Sequence, residues 1–132
     1  MKKVGEHITL DFLGVKQDYS PNFYNKVIYK IAKKAKVEVL NFAEHKFQPQ
    51  GFTCVALLAE SHMSFHTFPE KGIISFDFFT CGKVSPKVAL DILKKEIKHK
   101  RIIKKEFNRD TVSYYDDIYS SPGLKKFYIV NN

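Results

Sequence analysis

The sequence predicts an α+β fold, a two-layer α/β sandwich in which a mainly antiparallel sheet carries two helices packed on one face. Two observations carry that reading. Apolar residues recur at helical spacing in two stretches, each opened by a Ser-Pro pair, and the elements run strand, helix, several strands, helix, strand. His7-Ile8-Thr9-Leu10-Asp11-Phe12 alternates and forms the opening strand, closed by Gly14. Ser20 caps the first helix with Pro21 at its first position, and Phe23, Val27, Ile28 and Ile31 repeat on one side as far as Lys36. Residues 37–42 resume strand character, residues 45–51 are an extended segment leading into a turn, and residues 52–59 are almost wholly apolar, which predicts a central strand. In residues 61–68, His62, Ser64 and His66 fall on one side and Met63, Phe65 and Thr67 on the other. Residues 69–72 turn the chain into a strand over 73–80. Ser85 and Pro86 open the second helix, with Val88, Leu90, Ile92, Leu93 and Ile97 on or near its apolar face, and residues 101–107 form a further strand. Beyond Asn108 the tail reads as loops around 114–117 and 120–123 and a last strand at 127–130.

At 132 residues the chain is expected to be one domain, 1–132. Hydrophobic residues make up 44% and aromatic residues 14%, enough for a packed core and too much for a disordered chain. No apolar run approaches the roughly 18 residues of a membrane span, so the expected partners exclude membrane and the expected location is cytoplasmic. Cys54 and Cys81 are too few for a disulfide scaffold and read as free thiols. The formal charge of +8 raises nucleic-acid binding as a rival hypothesis, which predicts binding that weakens steeply with salt. Its distribution argues against that. The excess sits at Lys30, Lys33, Lys34 and Lys36 and between Lys94 and Lys105, on helix faces and ends where a solvated, dipole-compatible surface explains it.

Reactive side chains concentrate in Ala59-Glu60-Ser61-His62-Met63-Ser64-Phe65-His66-Thr67-Phe68-Pro69-Glu70 and in Phe78-Phe79-Thr80-Cys81-Gly82. Singly, each has an ordinary structural reading: a turn serine, hydrogen-bonded strand histidines, a small core cysteine. Together they form a polar cluster inside apparent β-structure, where polar groups are costly unless they have partners or a task. A zinc site from His62, His66 and Cys81 lacks a fourth ligand and a recognisable ligand spacing, so no metal is expected. A serine hydrolase lacks the Gly-x-Ser-x-Gly elbow.

Glu60-Ser61-His62, followed by His66-Thr67-Phe68-Pro69-Glu70 and then Phe79-Thr80-Cys81-Gly82, resembles the prokaryotic class of pyruvoyl-dependent S-adenosylmethionine decarboxylases. The likeness extends from Gly5 and His7 through His45, Phe47, Pro49 and Gly51 to Lys100-Arg101. The resemblance implies a proenzyme that cuts its own backbone between Glu60 and Ser61, giving a β chain 1–60 and an α chain 61–132. In that scheme the Ser61 hydroxyl attacks the preceding carbonyl and is converted to a pyruvoyl group, the cofactor. His66 matches the residue that handles protons during processing, and Thr53 matches a small hydroxyl residue that assists. Cys81 matches the proton donor of decarboxylation, Phe47 a residue that stacks on adenine and Glu70 the carboxylate that holds ribose hydroxyls. The implied partners are a small-molecule amine substrate and a second copy of the chain, in a homodimer with residues of both protomers near each site.

Ser61 and His66 are five residues apart, so a regular strand turns them to opposite faces, and serving one site requires a bulge or sharp turn at Ser61. Phe68 stands where the resembled family commonly has Trp, and Thr53-Cys54 where Ser-Gly is usual, which is expected to add bulk near the pocket. The resemblance points to S-adenosylmethionine as substrate, with L-arginine or L-ornithine as the alternatives on the same scaffold.

Overall fold

The computed structural model describes residues 3–81 and 83–110. The period-2 pattern becomes one six-stranded sheet: β1 (Lys3–Leu13), β2 (Val39–Lys46), β3 (Phe52–Leu58), β4 (Ser61–Phe68), β5 (Ile73–Thr80) and β6 (Arg101–Asp110). Its order is β2-β3-β4-β5-β1-β6 and every neighbouring pair is antiparallel. Two helices, α1 (Pro21–Ala35) and α2 (Val88–Glu96), cover one face.

Alternation decides what each face carries. Towards the helices point Ile8, Leu10 and Phe12 of β1, Cys54, Ala56 and Leu58 of β3, Met63 and Phe65 of β4, and Phe76 and Phe78 of β5, all buried. Tyr24, Val27, Ile28 and Ile31 of α1 and Ala89 and Leu93 of α2 close over them. Burying side chains of this size contributes about 1.5–3 kcal/mol each, which makes this layer the main source of stability. Lys30 of α1 reaches Glu96 of α2 at 2.5 Å across the outer surface, an exposed pair of small energetic weight. Among the described residues no helix covers the other face. There His62, Ser64 and His66 of β4 stand opposite Phe79, Asp77 and Ser75 of β5, which stand opposite His7, Thr9 and Asp11 of β1.

The α+β sandwich therefore forms as the patterning predicts, with local differences. Residues 39–46 make a single strand, so the break expected near residue 42 is absent and the turn begins beyond Lys46. β3 is second from the sheet edge and not central; its apolar run reflects two different apolar faces, with Val55 41% and Leu57 52% exposed on the helix-free side. Ser20 takes the N-cap position of α1 through its backbone carbonyl, which accepts from Phe23 N–H, without a side-chain cap. Ser85 and Pro86 lie before α2, where Ser85 Oγ accepts from the Lys87 backbone N–H. The last predicted strand and both tail loops fall outside the described residues. Among those described, no helix is long and apolar enough to cross a membrane.

Candidate active site

Ala59 and Glu60 join β3 to β4 in a two-residue turn, with Leu58 opposite Ser61. Such loops favour Gly or Asn where the backbone turns left-handed, yet Glu60 sits there with φ +61°. That conformation costs a side-chain-bearing residue roughly 1–2 kcal/mol. Among the described residues the one other non-glycine with positive φ is Lys36, which ends α1. A hydrogen bond from Ala59 N–H to Glu38 O, 2.9 Å, ties the turn to the chain entering β2. Ser61, 7% exposed, turns its hydroxyl towards the helix-covered side, where Oγ finds no hydrogen-bond partner among the described residues. An unpaired buried hydroxyl costs about 1–3 kcal/mol.

The other predicted residues divide by position. Thr53 Oγ1 and His66 Nδ1 are 3.0 Å apart on the open face, aligned by the β3–β4 register. Phe47, just past β2, is 46% exposed with its ring edge against His45, and its N–H bonds Gly51 O at 2.9 Å. Glu70 lies exposed in the 3-10 turn Pro69–Lys71 after β4. These four residues belong to the middle and far end of β4. Cys81, partly exposed, follows the last residue of β5 and lies at the Ser61 end. The sharp turn at Ser61 is present, but the β3–β4 register then runs without a bulge, so Ser61 and His66 remain on opposite faces. Five residues at about 3.3 Å each separate them by about 17 Å along the strand. One chain thus brings together Thr53 with His66, and Ser61 with the Cys81 end, and leaves the two groups apart.

Cys54 faces the helices and is fully buried, its thiol pushed up to about 12 by burial. The bulk expected near a pocket therefore fills the core. His62, His66 and Cys81 do not converge, and among the described residues no cluster of three His, Cys, Asp or Glu is placed to hold a metal ion. A broad cleft of about 1320 Å³ opens between the helices, but its lining, which includes Lys30, Lys33, Lys34, Lys94 and Lys95, shares no residue with this site.

Four residues with no assigned role in the sequence, His7, His62, Ser64 and Asp77, complete the open face. Asp77 accepts from the Ser64 hydroxyl and from His7 Nε2 at 3.0 Å, while His62 Nε2 lies 3.7 Å away. Asp77 was legible as the one charge in an otherwise apolar and hydroxyl-bearing strand; its link to His7, 70 residues away, comes only from the sheet order. Gly5 also acquires a reason: a Cβ there would stand 2.7 Å from the Phe79 ring and strike Thr80 O.

Comparison with known proteins identifies the family. Residues 6–110 match the family model described as S-adenosylmethionine decarboxylase. The chain belongs to the S-adenosylmethionine decarboxylase family. A Prochlorococcus marinus (strain MIT 9211) S-adenosylmethionine decarboxylase proenzyme is 42% identical over 112 residues, 82% of this chain and 91% of that one. A proenzyme of the same name from Synechococcus sp. (strain WH7803) is 36% identical over 122 residues, 90% and 95% of the two chains. The crystal structure of adenosylmethionine decarboxylase from Aquifex aeolicus VF5 superposes with a TM-score of 0.76 at 32% identity, covering 86% of this chain and 97% of that one. Enzymes of this family are pyruvoyl-dependent decarboxylases. The residues here fit such a group on one observation: a buried, unpaired serine hydroxyl directly follows a left-handed residue in a tight turn.

Proposed function

We propose that this chain is a self-processing decarboxylase acting on S-adenosyl-L-methionine, releasing carbon dioxide and decarboxylated S-adenosylmethionine. The observation that carries the reading is the Glu60-Ser61 junction, where left-handed backbone and an orphaned hydroxyl coincide. Both features raise the energy of the intact peptide relative to a cleaved one. Ser61 Oγ attacks the Glu60 carbonyl and its proton passes to the departing nitrogen, leaving an ester. Loss of the Ser61 α-proton then expels the Glu60 carboxylate, and water releases ammonia from the dehydrated residue. The products are a β chain 1–60 and an α chain 61–132 that begins with a pyruvoyl group made from Ser61, with no metal. That group supplies a carbonyl able to accept the electrons freed by decarboxylation.

The remaining roles belong to this chain's side chains. Thr53 holds the His66 imidazole, which moves protons during cleavage. Cys81 delivers a proton to the substrate carbon, Phe47 stacks on the adenine and Glu70 accepts from the ribose hydroxyls. Because His66 is about 17 Å along the strand from Ser61, the same reading requires a homodimer in which the partner subunit's His66 serves Ser61. The open sheet face suits it, since Val55, Leu57, Phe68, Ile103 and Phe107 leave exposed apolar surface there. Cytoplasmic location is part of this reading, in keeping with two free thiols.

Carbon dioxide release from S-adenosylmethionine, L-arginine and L-ornithine, assayed side by side, tests the substrate. Release from S-adenosylmethionine at least about a hundredfold faster in kcat/KM is expected, a modest demand for a site that recognises a nucleoside by buried polar groups. Preference for either amino acid would overturn the assignment.

A further inference from the structure

The proposed roles leave one cluster without a task. His7, His62, Ser64 and Asp77 meet on the open face at the end of the sheet that carries Cys81. Decarboxylation there has a need that Cys81 alone does not meet. Each turnover adds one proton to the substrate carbon, so a thiol that gives its proton is left as thiolate and must be recharged from solvent. We infer that His7, oriented by Asp77, returns that proton to Cys81 and draws its own from solvent at the open face.

Four observations carry this. An ionised Asp77 can only accept, so the 3.0 Å contact puts hydrogen on His7 Nε2 and leaves Nδ1 to exchange protons. The carboxylate is itself held by the Ser64 hydroxyl, which fixes its plane. The imidazole is clamped edge-on by Phe79, Phe107 and His62, with ring centroids 5.9, 6.2 and 6.1 Å away. Finally, His7 lies opposite Phe79, and Cys81 follows directly on Thr80, the partner of Glu6, so the register brings Cys81 within two residues of the His7–Phe79 pair at the end of β5.

The source of protons is solvent: the His7 side chain keeps 24% of its surface exposed on the open face. The charged groups around the ring come from three strands: Asp77 on β5, His62 on β4 and, on β6, Arg109, over Phe79 at 5.1 Å. The transfers balance. The Cys81 S–H bond breaks as the new C–H bond forms; the thiolate then takes a proton from His7 Nδ1, and neutral His7 regains one from solvent water. Asp77 is a positioning residue, and His7 acts through Cys81.

The inference rests on Cys81 as proton donor in the proposed decarboxylation, but its test does not. Labelling of Cys81 by iodoacetamide at neutral pH, read by peptide mass on the purified full chain, needs neither cleavage nor turnover; buried Cys54 stays silent. A base exchanging protons with the thiol speeds labelling, so His7→Gln and Asp77→Asn should each slow it by about fivefold or more. A second arm uses a variant with its core untouched. By reciprocity, Cys81→Ser should move the His7 ring resonances in proton NMR spectra and leave those of His99 in place. Labelling within twofold of the wild type in either folded variant, or unmoved His7 resonances in Cys81→Ser, would overturn the relay and leave the decarboxylase reading standing.

Discussion

The two faces of β4 carry alternate residues of one eight-residue strand and do different work. Met63, Phe65 and Thr67 turn inwards and are covered within the same chain by α1 and its neighbours, with Tyr24 5.1 Å from Phe65 between ring centroids. His62, Ser64 and His66 turn to a face that no helix covers, among hydroxyls, a carboxylate and exposed apolar side chains. The lesson is a division of labour. One face supplies stability and is complete in a single chain, whereas the other gathers His62, Ser64, His66 and Asp77 and, in the proposed function, is completed by a second copy.

The sharpest way to break this comparison is to divide the reactive groups between two chains. Ser61→Ala and His66→Ala chains should each remain uncut when made alone. Co-expressed, they should form mixed dimers in which the His66→Ala chain, with its own Ser61 and the partner's His66, is cleaved. Up to half the chains in such dimers would then be cut on a denaturing gel; no cut chain in any mixture would place the whole site within one protomer.

A smaller effect separates stability from chemistry along the same strand. Phe65→Ala should cost about 3–5 kcal/mol in urea unfolding, because it opens a cavity beneath α1. His62→Ala, on the open face, should cost less than about 1 kcal/mol. Comparable losses would mean that both faces contribute alike to folding.

The smallest effect is alkaline. Cys54 is raised from 9.0 to about 12 by burial, and burial also raises Tyr24. The folded state therefore keeps protons that the unfolded chain has already lost above about pH 9, so unfolding releases protons and stability falls as pH rises from about 9 towards 12. Cys54→Ala should flatten the decline of Tm over that window; an unchanged slope would show that the thiol is not the group responsible.

The sequence revealed most where physics is local. Alternation in β4 predicted both of its faces correctly because a strand has a period of two, and the Ser-Pro pairs located both helices, though Ser85-Pro86 precedes the second where capping was expected. Residues 52–59 misled because Val55 and Leu57 are apolar on a face left open in one chain, so the run resembled a strand buried on both sides. Thr53 and His66 were named separately through the family resemblance, but their 3.0 Å contact depends on strand register. Asp77 received no role from the sequence, since the partners that give it meaning come from β1 and β4.

The central claim concerns the peptide bond between Glu60 and Ser61, and intact-mass analysis of freshly purified protein tests it directly. The account predicts two polypeptides, residues 1–60 with a free carboxylate and residues 61–132 beginning with a ketone in place of an amine, and a single uncut chain for Ser61→Ala. One 15.3 kDa species from the wild type, with an ordinary amino group at every serine, would contradict it.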